Sequence, residues 1–180
     1  MTDCAKTVYI DSIEVLEQKY PIRFRALRLI PDSGGAGRFR GAPGSEIVLG
    51  PAHGTMQAFY FADFGHNPPA GVLGGRDGSL AAVAKIDRDG NETPQPTIGD
   101  VELAPGEWLR GLESGGGGYG DPLERDPEAV RQDVLDRWVS IEAAGAEYGV
   151  VLEGSAAACE LAVDAAATAA LRLRLRATRG

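Results

Sequence analysis

Glycine sets the terms for this chain. It holds 25 glycines in 180 residues, roughly twice ordinary usage, and they are clustered. One cluster is DSGGAGRFRGAPG, Asp32 to Gly44; another is GVLGGRDG, Gly71 to Gly78; the third is SGGGGYGD, Ser114 to Asp121. Each lies between stretches that read as strands, so the clusters read as ordered turns of unusual backbone geometry rather than flexible linkers. Four consecutive glycines, Gly115 to Gly118, cost about 1 kcal/mol each against alanine on ordering. Two readings account for such a run: another backbone, partner or substrate comes very close, or the run is a compact linker between two parts of the chain.

Between the clusters the hydrophobic pattern is that of short strands. Ile22 to Ile30 (IRFRALRLI) alternates apolar and basic residues, and its phase slips at Ala26-Leu27, where a bulge restores register. SEIVLG and TMQAFYFADF read as strands joined by a turn at Pro51 to Gly54. AAVAKI, a turn at Asp87 to Asn91, and IGDVELAPGEWLRGLES add three or four more. A short helix over Ser12 to Tyr20 stops at Pro21. After residue 120 the pattern turns helical. Asp126-Pro127 starts a helix to Trp138 with Val130, Val134 and Trp138 on one stripe. Ser140 caps a second that ends near Tyr148-Gly149. GVVL reads as a strand, and a third helix begins at Asp164 with Leu171 and Leu175 on one face and Arg172 and Arg176 on another. The alternating RLRLRATR end reads as a docking helix with a salt-bridging face. The expected fold is therefore α+β: a mainly antiparallel β sandwich or open barrel with glycine-rich turns over 1–120, and a small helical part over 121–180 that docks on the β domain or on partner subunits.

Composition removes several functions. Eighteen Lys and Arg against 26 Asp and Glu leave a net charge of −8, which disfavours a phosphate-backbone partner such as nucleic acid. No apolar run approaches the roughly eighteen residues of a membrane span, and the N-terminal MTDCAKTVYIDS lacks the pattern of a signal peptide. A cytoplasmic location is expected. Cys4 and Cys159 lack CxxC spacing, and His53 and His66 are the two histidines, so a metal set contributed by this chain alone is not expected. In the first cluster, Ser33, Gly34, Gly35, Arg38 and Arg40 offer backbone N–H groups and guanidinium charge to an anion. The alternative is a tight turn whose arginines pair with local carboxylates, since neither GxxxxGK[ST] nor a strand–GxGxxG–helix unit is present. His66, near Asp63, Asn67 and Asp77, reads as a solvent-facing loop histidine or a substrate-proximal group. No nucleophile–base constellation is visible.

Taken together and in order, SIEVLEQKYPIRF, LIPDSGGAGRFRGAPG, HNPPAGVLGGRDG, LAPGEW, GGGGYGDPLERDPEAVRQDVLDRWVSIEAAGAEYGVVL and VDAAATAALR resemble the C-terminal region of the hydantoinase B/oxoprolinase family's B-type subunit, over residues 12 to about 173. The resemblance implies a partner in an ATP-dependent complex that opens cyclic amides or imides, or alternatively carboxylates ketones such as acetone, through a phosphorylated intermediate. It implies larger A-type and B-type partner subunits in a hetero-oligomer, with ATP and a divalent metal held by those partners and no cofactor bound by this chain alone. The chain looks like a separately encoded piece of a split B-type subunit. Under this reading Gly115, Gly116, Gly117 and Gly118, with the first cluster and His66, become candidate anion- or substrate-proximal positions, or packing turns against partner chains. A non-catalytic scaffold is the further alternative. Ala70, Glu113-Ser114 and the PQPTIG segment depart from common family residues, so the substrate side is open to difference.

Overall fold

The computed structural model describes residues 11–179; Cys4 and the first ten residues of the segment read above for a leader lie outside them. Helix α1, Ile13–Lys19, starts where the Ser12 hydroxyl accepts the Val15 N–H and stops before Pro21. It leads into β1, Ile22–Leu29, then β2, Ser45–Pro51; β3, Met56–Phe61; β4, Ala82–Ile86; β5, Glu92–Gln95; β6, Ile98–Leu103; and β7, Trp108–Leu112. Five of these form one antiparallel sheet in the order β1-β2-β7-β4-β5, and β3 pairs with β6 in a second, two-stranded layer. The layers are those of a sandwich, unequal in width and not closed into a barrel.

The expected bulge in β1 is present, one residue earlier than the sequence suggested. Phe24 faces Leu49 and Ala26 faces Val48, so Arg25 is the extra residue. The β4–β5 hairpin turns on Asp87, whose carboxylate accepts the Asp89 and Asn91 N–H groups and the Asn91 side-chain amide, while Gly90 takes the positive φ of 88° that closes the turn. Between the layers, Val83, Leu103 and Leu109 are buried with Met56, Ala58, Tyr60 and Val101 packed on them. Leu103 is fully enclosed, which contributes about 1.5–3 kcal/mol of apolar burial.

After a 3₁₀ turn at Pro122–Glu124 come α2, Pro127–Leu135, and α3, Ile141–Ala146; then β8, Leu152–Ser155, and β9, Glu160–Val163, form a separate hairpin before α4, Ala165–Arg179. Three details differ from the sequence reading. Helix α2 ends at Leu135 rather than Trp138, because Arg137 adopts a left-handed φ of 62° that breaks the helix. The GVVL strand starts only at Leu152: Gly149 (φ 62°) terminates the preceding helical turn, and the Val150 N–H is bonded back to Ala144. Its partner β9 was not expected at all. The arginines of α4 do not form the salt-bridging face expected of them, since Arg172 donates to the carbonyls of Tyr148 and Arg125, although Arg179 does approach Glu147 at 3.7 Å.

A second core holds these elements. It contains Val130, Val134, Val139, Ala144, Tyr148, Val150 and Leu161, and it includes Ala36 from the first glycine cluster. The helical part is thus packed on the glycine region through a shared apolar interior. Burial pushes the Tyr148 hydroxyl up to about 12.

Candidate functional site

The three glycine clusters come together. The tetraglycine strand runs between the other two and bonds to both: the Gly35 N–H donates to Gly116, Gly116 to Ala42, Gly118 to Arg76, and Val72 to Gly118. Arg76 in turn donates to Ala36, Ser79 to Ser33, and Gly41 to Gly35. Extended backbones packed this tightly leave no space for Cβ atoms. A methyl on Gly41 would overlap the Gly116 carbonyl, and one on Gly115 would overlap the Ser33 carbonyl. Of the two sequence readings of the run, the close approach is what the structure contains: the neighbour is this chain's own backbone.

Side-chain oxygens pin the bundle. Buried Ser33 donates to the Ile30 carbonyl and accepts the Gly44 N–H at 2.7 Å, and the Ser79 hydroxyl accepts the Gly115 N–H at 3.0 Å. The N–H groups of Gly35, Gly115, Gly116 and Gly118 are therefore already donated to protein oxygens. An anion cradle built from those four donors would have to break internal bonds.

Arg40 is committed as well. Its guanidinium, 10% exposed, donates to the Gly41 carbonyl, reaches Asp133 at 3.3 Å, and lies over the Trp138 ring at 4.7 Å. Asp133, buried on α2, also takes Arg125 at 2.8 and 3.1 Å, and Arg125 donates to the Arg38 carbonyl. This Arg40–Asp133–Arg125 staple fixes α2 to the glycine bundle. Sequence reasoning missed Asp133 and Arg125; the only available signal was a carboxylate interposed between Val130 and Val134 on an apolar stripe.

Arg38 is different. It is 59% exposed, stands 3.9 Å from Glu124 and covers the Phe39 ring. His66 is exposed on the loop after β3. Gly34 and Gly35 line a cavity of about 290 Å³ with Ala36, Tyr148 and four charged groups: Asp32, Asp77, Glu147 and Arg76. With three carboxylates to one guanidinium, its field favours cations or hydrogen-bond donors over anions, and neither Arg38 nor Arg40 lines it. Elsewhere, on the outer face of the large sheet, buried Glu46 joins Arg28 and Arg110. Burial raises its pKa, but the hydrogen bonds from the two arginines outweigh that and hold it below the usual carboxylate value.

Among the described residues no group of three or more His, Cys, Asp or Glu side chains is placed to hold a metal ion, so these residues do not fit a divalent-metal site of their own. No helix among them is long and apolar enough to cross a membrane. Ser33, Arg40 and the glycine run are thus engaged in bonds within this chain, while Arg38 and His66 stay exposed.

The family follows from comparison. The hydantoinase B/oxoprolinase family model matches residues 1–122, and the chain belongs to that family. It is 36% identical over 166 residues to the caprolactamase subunit beta of Pseudomonas jessenii, which covers 90% of this chain but 29% of that protein. The crystal structure of the ATP-dependent caprolactamase from the same organism superposes with a TM-score of 0.73 at 35% identity, covering 90% of this chain and 28% of the other. An acetone carboxylase structure shares the fold, with a TM-score of 0.69 at 24% identity, over 94% of this chain and 26% of that one. The chain thus spans less than a third of the length of these relatives.

Proposed function

We propose that this chain is the C-terminal portion of a B-type polypeptide, acting as a small subunit of an ATP-dependent enzyme complex that opens cyclic amides or imides. The observation that carries the reading is the likeness to a caprolactamase subunit over 90% of the chain. Resonance makes the C–N bond of a lactam or hydantoin ring resistant to water. In such a complex ATP would phosphorylate the carbonyl oxygen and so remove that resonance. Water then adds to the carbon, and the ring nitrogen leaves as the amine with breakage of the C–N bond. Hydrolysis of the resulting acyl phosphate releases the carboxylate and inorganic phosphate. In this reading the larger A-type and B-type subunits hold ATP and the divalent metal in the cytoplasm, where ATP is made. This chain supplies a rigid wall: the interlocked glycine backbones and the Arg40–Asp133–Arg125 staple. Of the residues singled out by sequence, Arg38 and His66 are the exposed ones and are kept as candidates for contact with an anionic group.

ATP turnover by the complex purified through this chain tests the reading. Phosphate release stimulated by caprolactam, hydantoin or 5-oxoproline supports it. Stimulation by acetone only with bicarbonate selects the ketone-carboxylase alternative, with which the shared fold is equally consistent. A chain recovered alone and inert would leave a non-catalytic scaffold.

A further inference from the structure

The sandwich is half roofed. Its large sheet has five strands and its second layer has two, and among the described residues β3 pairs only with β6, so among them one edge of β3 is left without a strand partner. That edge borders an open cleft of about 270 Å³ whose floor is Ile47, Leu49, Leu109 and Leu112 of the large sheet and whose side wall is β3 itself. Ala58 and Tyr60 turn into the core, so the intervening Phe59 and Phe61 point away from it, 80% and 79% exposed. Ile98, directly across from Phe61 on β6, is 72% exposed. Just beyond β3, Phe64 is half exposed at a φ of 63°, a conformation costly for a bulky residue and usually kept where it serves a contact. An open strand edge beside an apolar cleft and an aromatic face is a surface for pairing, and an aggregation hazard if left bare.

We propose that an extended segment from the remainder of a B-type polypeptide pairs with the free edge of β3, sets its inward apolar side chains over Ile47 and Leu49, and that the adjoining polypeptide covers Phe59, Phe61 and Ile98. The proposal rests on the reading that this chain completes a B-type subunit. The matched portion is 29% of the caprolactamase subunit, so more than two thirds of such a polypeptide stands outside it and is available to cover this face. Charge fixes the occupant further. Asp100 stands opposite Phe59 and Glu102 opposite Gln57 on β6, and Glu113 lines the cleft. The polypeptide that covers the aromatic face therefore carries basic residues toward β6, and the paired segment carries one toward Glu113. A second copy of this chain, itself at −8, would bring these carboxylates against their own equivalents. Helix α4 makes a poorer docking face: Leu173 is its one large apolar side chain exposed at 73%, while Arg172 is bonded to this chain's own carbonyls.

The test is photocrosslinking in the native cells, with p-benzoylphenylalanine placed at Phe61 in one tagged chain and at Leu173 in another. The expected result is a crosslink from position 61, and not from 173, to a B-type polypeptide identified by mass. Paired with it, a Phe59→Ser/Phe61→Ser chain loses at least tenfold of the recovered B-type polypeptide, with the thermal midpoint of the isolated chain unchanged because both rings are solvent-exposed. If a B-type polypeptide is recovered but crosslinks only from 173, or is retained by the double variant, the docking face is wrong while the functional reading stands. Crosslinks from 61 to a second copy of this chain overturn the occupant. Recovery of no B-type polypeptide by the wild-type chain overturns both the reading and the inference.

Discussion

Replacing Asp133 by alanine isolates what holds the helical part to the glycine bundle. Two guanidinium groups, 10% and 15% exposed, converge on this carboxylate, which is itself 6% exposed. At about 3 Å and an effective dielectric of about 20, each pair has a gross attraction of roughly 5 kcal/mol, offset by several kcal/mol of desolvation for each ion. Removing the shared carboxylate leaves both guanidiniums buried without a counter-charge, a loss of about 3–5 kcal/mol. For a chain of this size about 2–4 °C accompanies each kcal/mol, so the midpoint falls by roughly 6–20 °C. Arg40→Ala costs less, since Asp133 keeps Arg125. Thermal unfolding followed by tryptophan fluorescence suits the purpose, because Trp138 lies beneath Arg40. An Asp133→Ala midpoint within about 1 °C of wild type would refute the staple. Stabilisation of the wild type by added phosphate, lost in Arg40→Ala, would show instead that Arg40 serves an anion.

Two alanine substitutions at glycine have opposite expected signs. Gly41→Ala drives a methyl into the Gly116 carbonyl, and soluble yield or midpoint falls sharply. Gly145→Ala, in α3 with open space around its Cβ position, raises stability by about 0.5–1 kcal/mol in a denaturant titration. The pH dependence follows Glu46. Its folded pKa is depressed, so its contribution is fully present above its unfolded value of about 4.3 and is lost as pH falls through the lower folded value. Glu46→Gln therefore flattens the loss of stability below about pH 4, and an unchanged acid profile would count against this assignment.

The strands were legible because their side chains alternate: IRFRALRLI showed both its periodicity and its bulge, and the β4–β5 turn was written in Asp87 to Asn91. The glycine bundle was legible only as an excess. A residue without a side chain leaves no periodic trace, so nothing in the chain said that residues near 35, 75 and 117 would bond to one another. The pairing of Arg40 with Asp133 spans 93 positions, and such pairs are set by the tertiary fold rather than by spacing. The β8–β9 hairpin was hidden by its own shortness: ELAV after an alanine run has no strong pattern. Gly35 and Arg40 carried two readings in the sequence, anion contact and a tight turn with paired arginines, because the same residue types serve both. Their partners within the chain, Gly116 and Asp133, lie too far along the sequence for spacing to reveal.

The central claim is that this chain works as part of a larger assembly, and native mass measurement of the complex purified through a tag on it, from its own cells, tests that most directly. The expected mass exceeds one copy by at least an A-type and a B-type polypeptide, both released together by denaturant. A single species at 18.9 kDa, or a multiple of it with no other polypeptide, would contradict it.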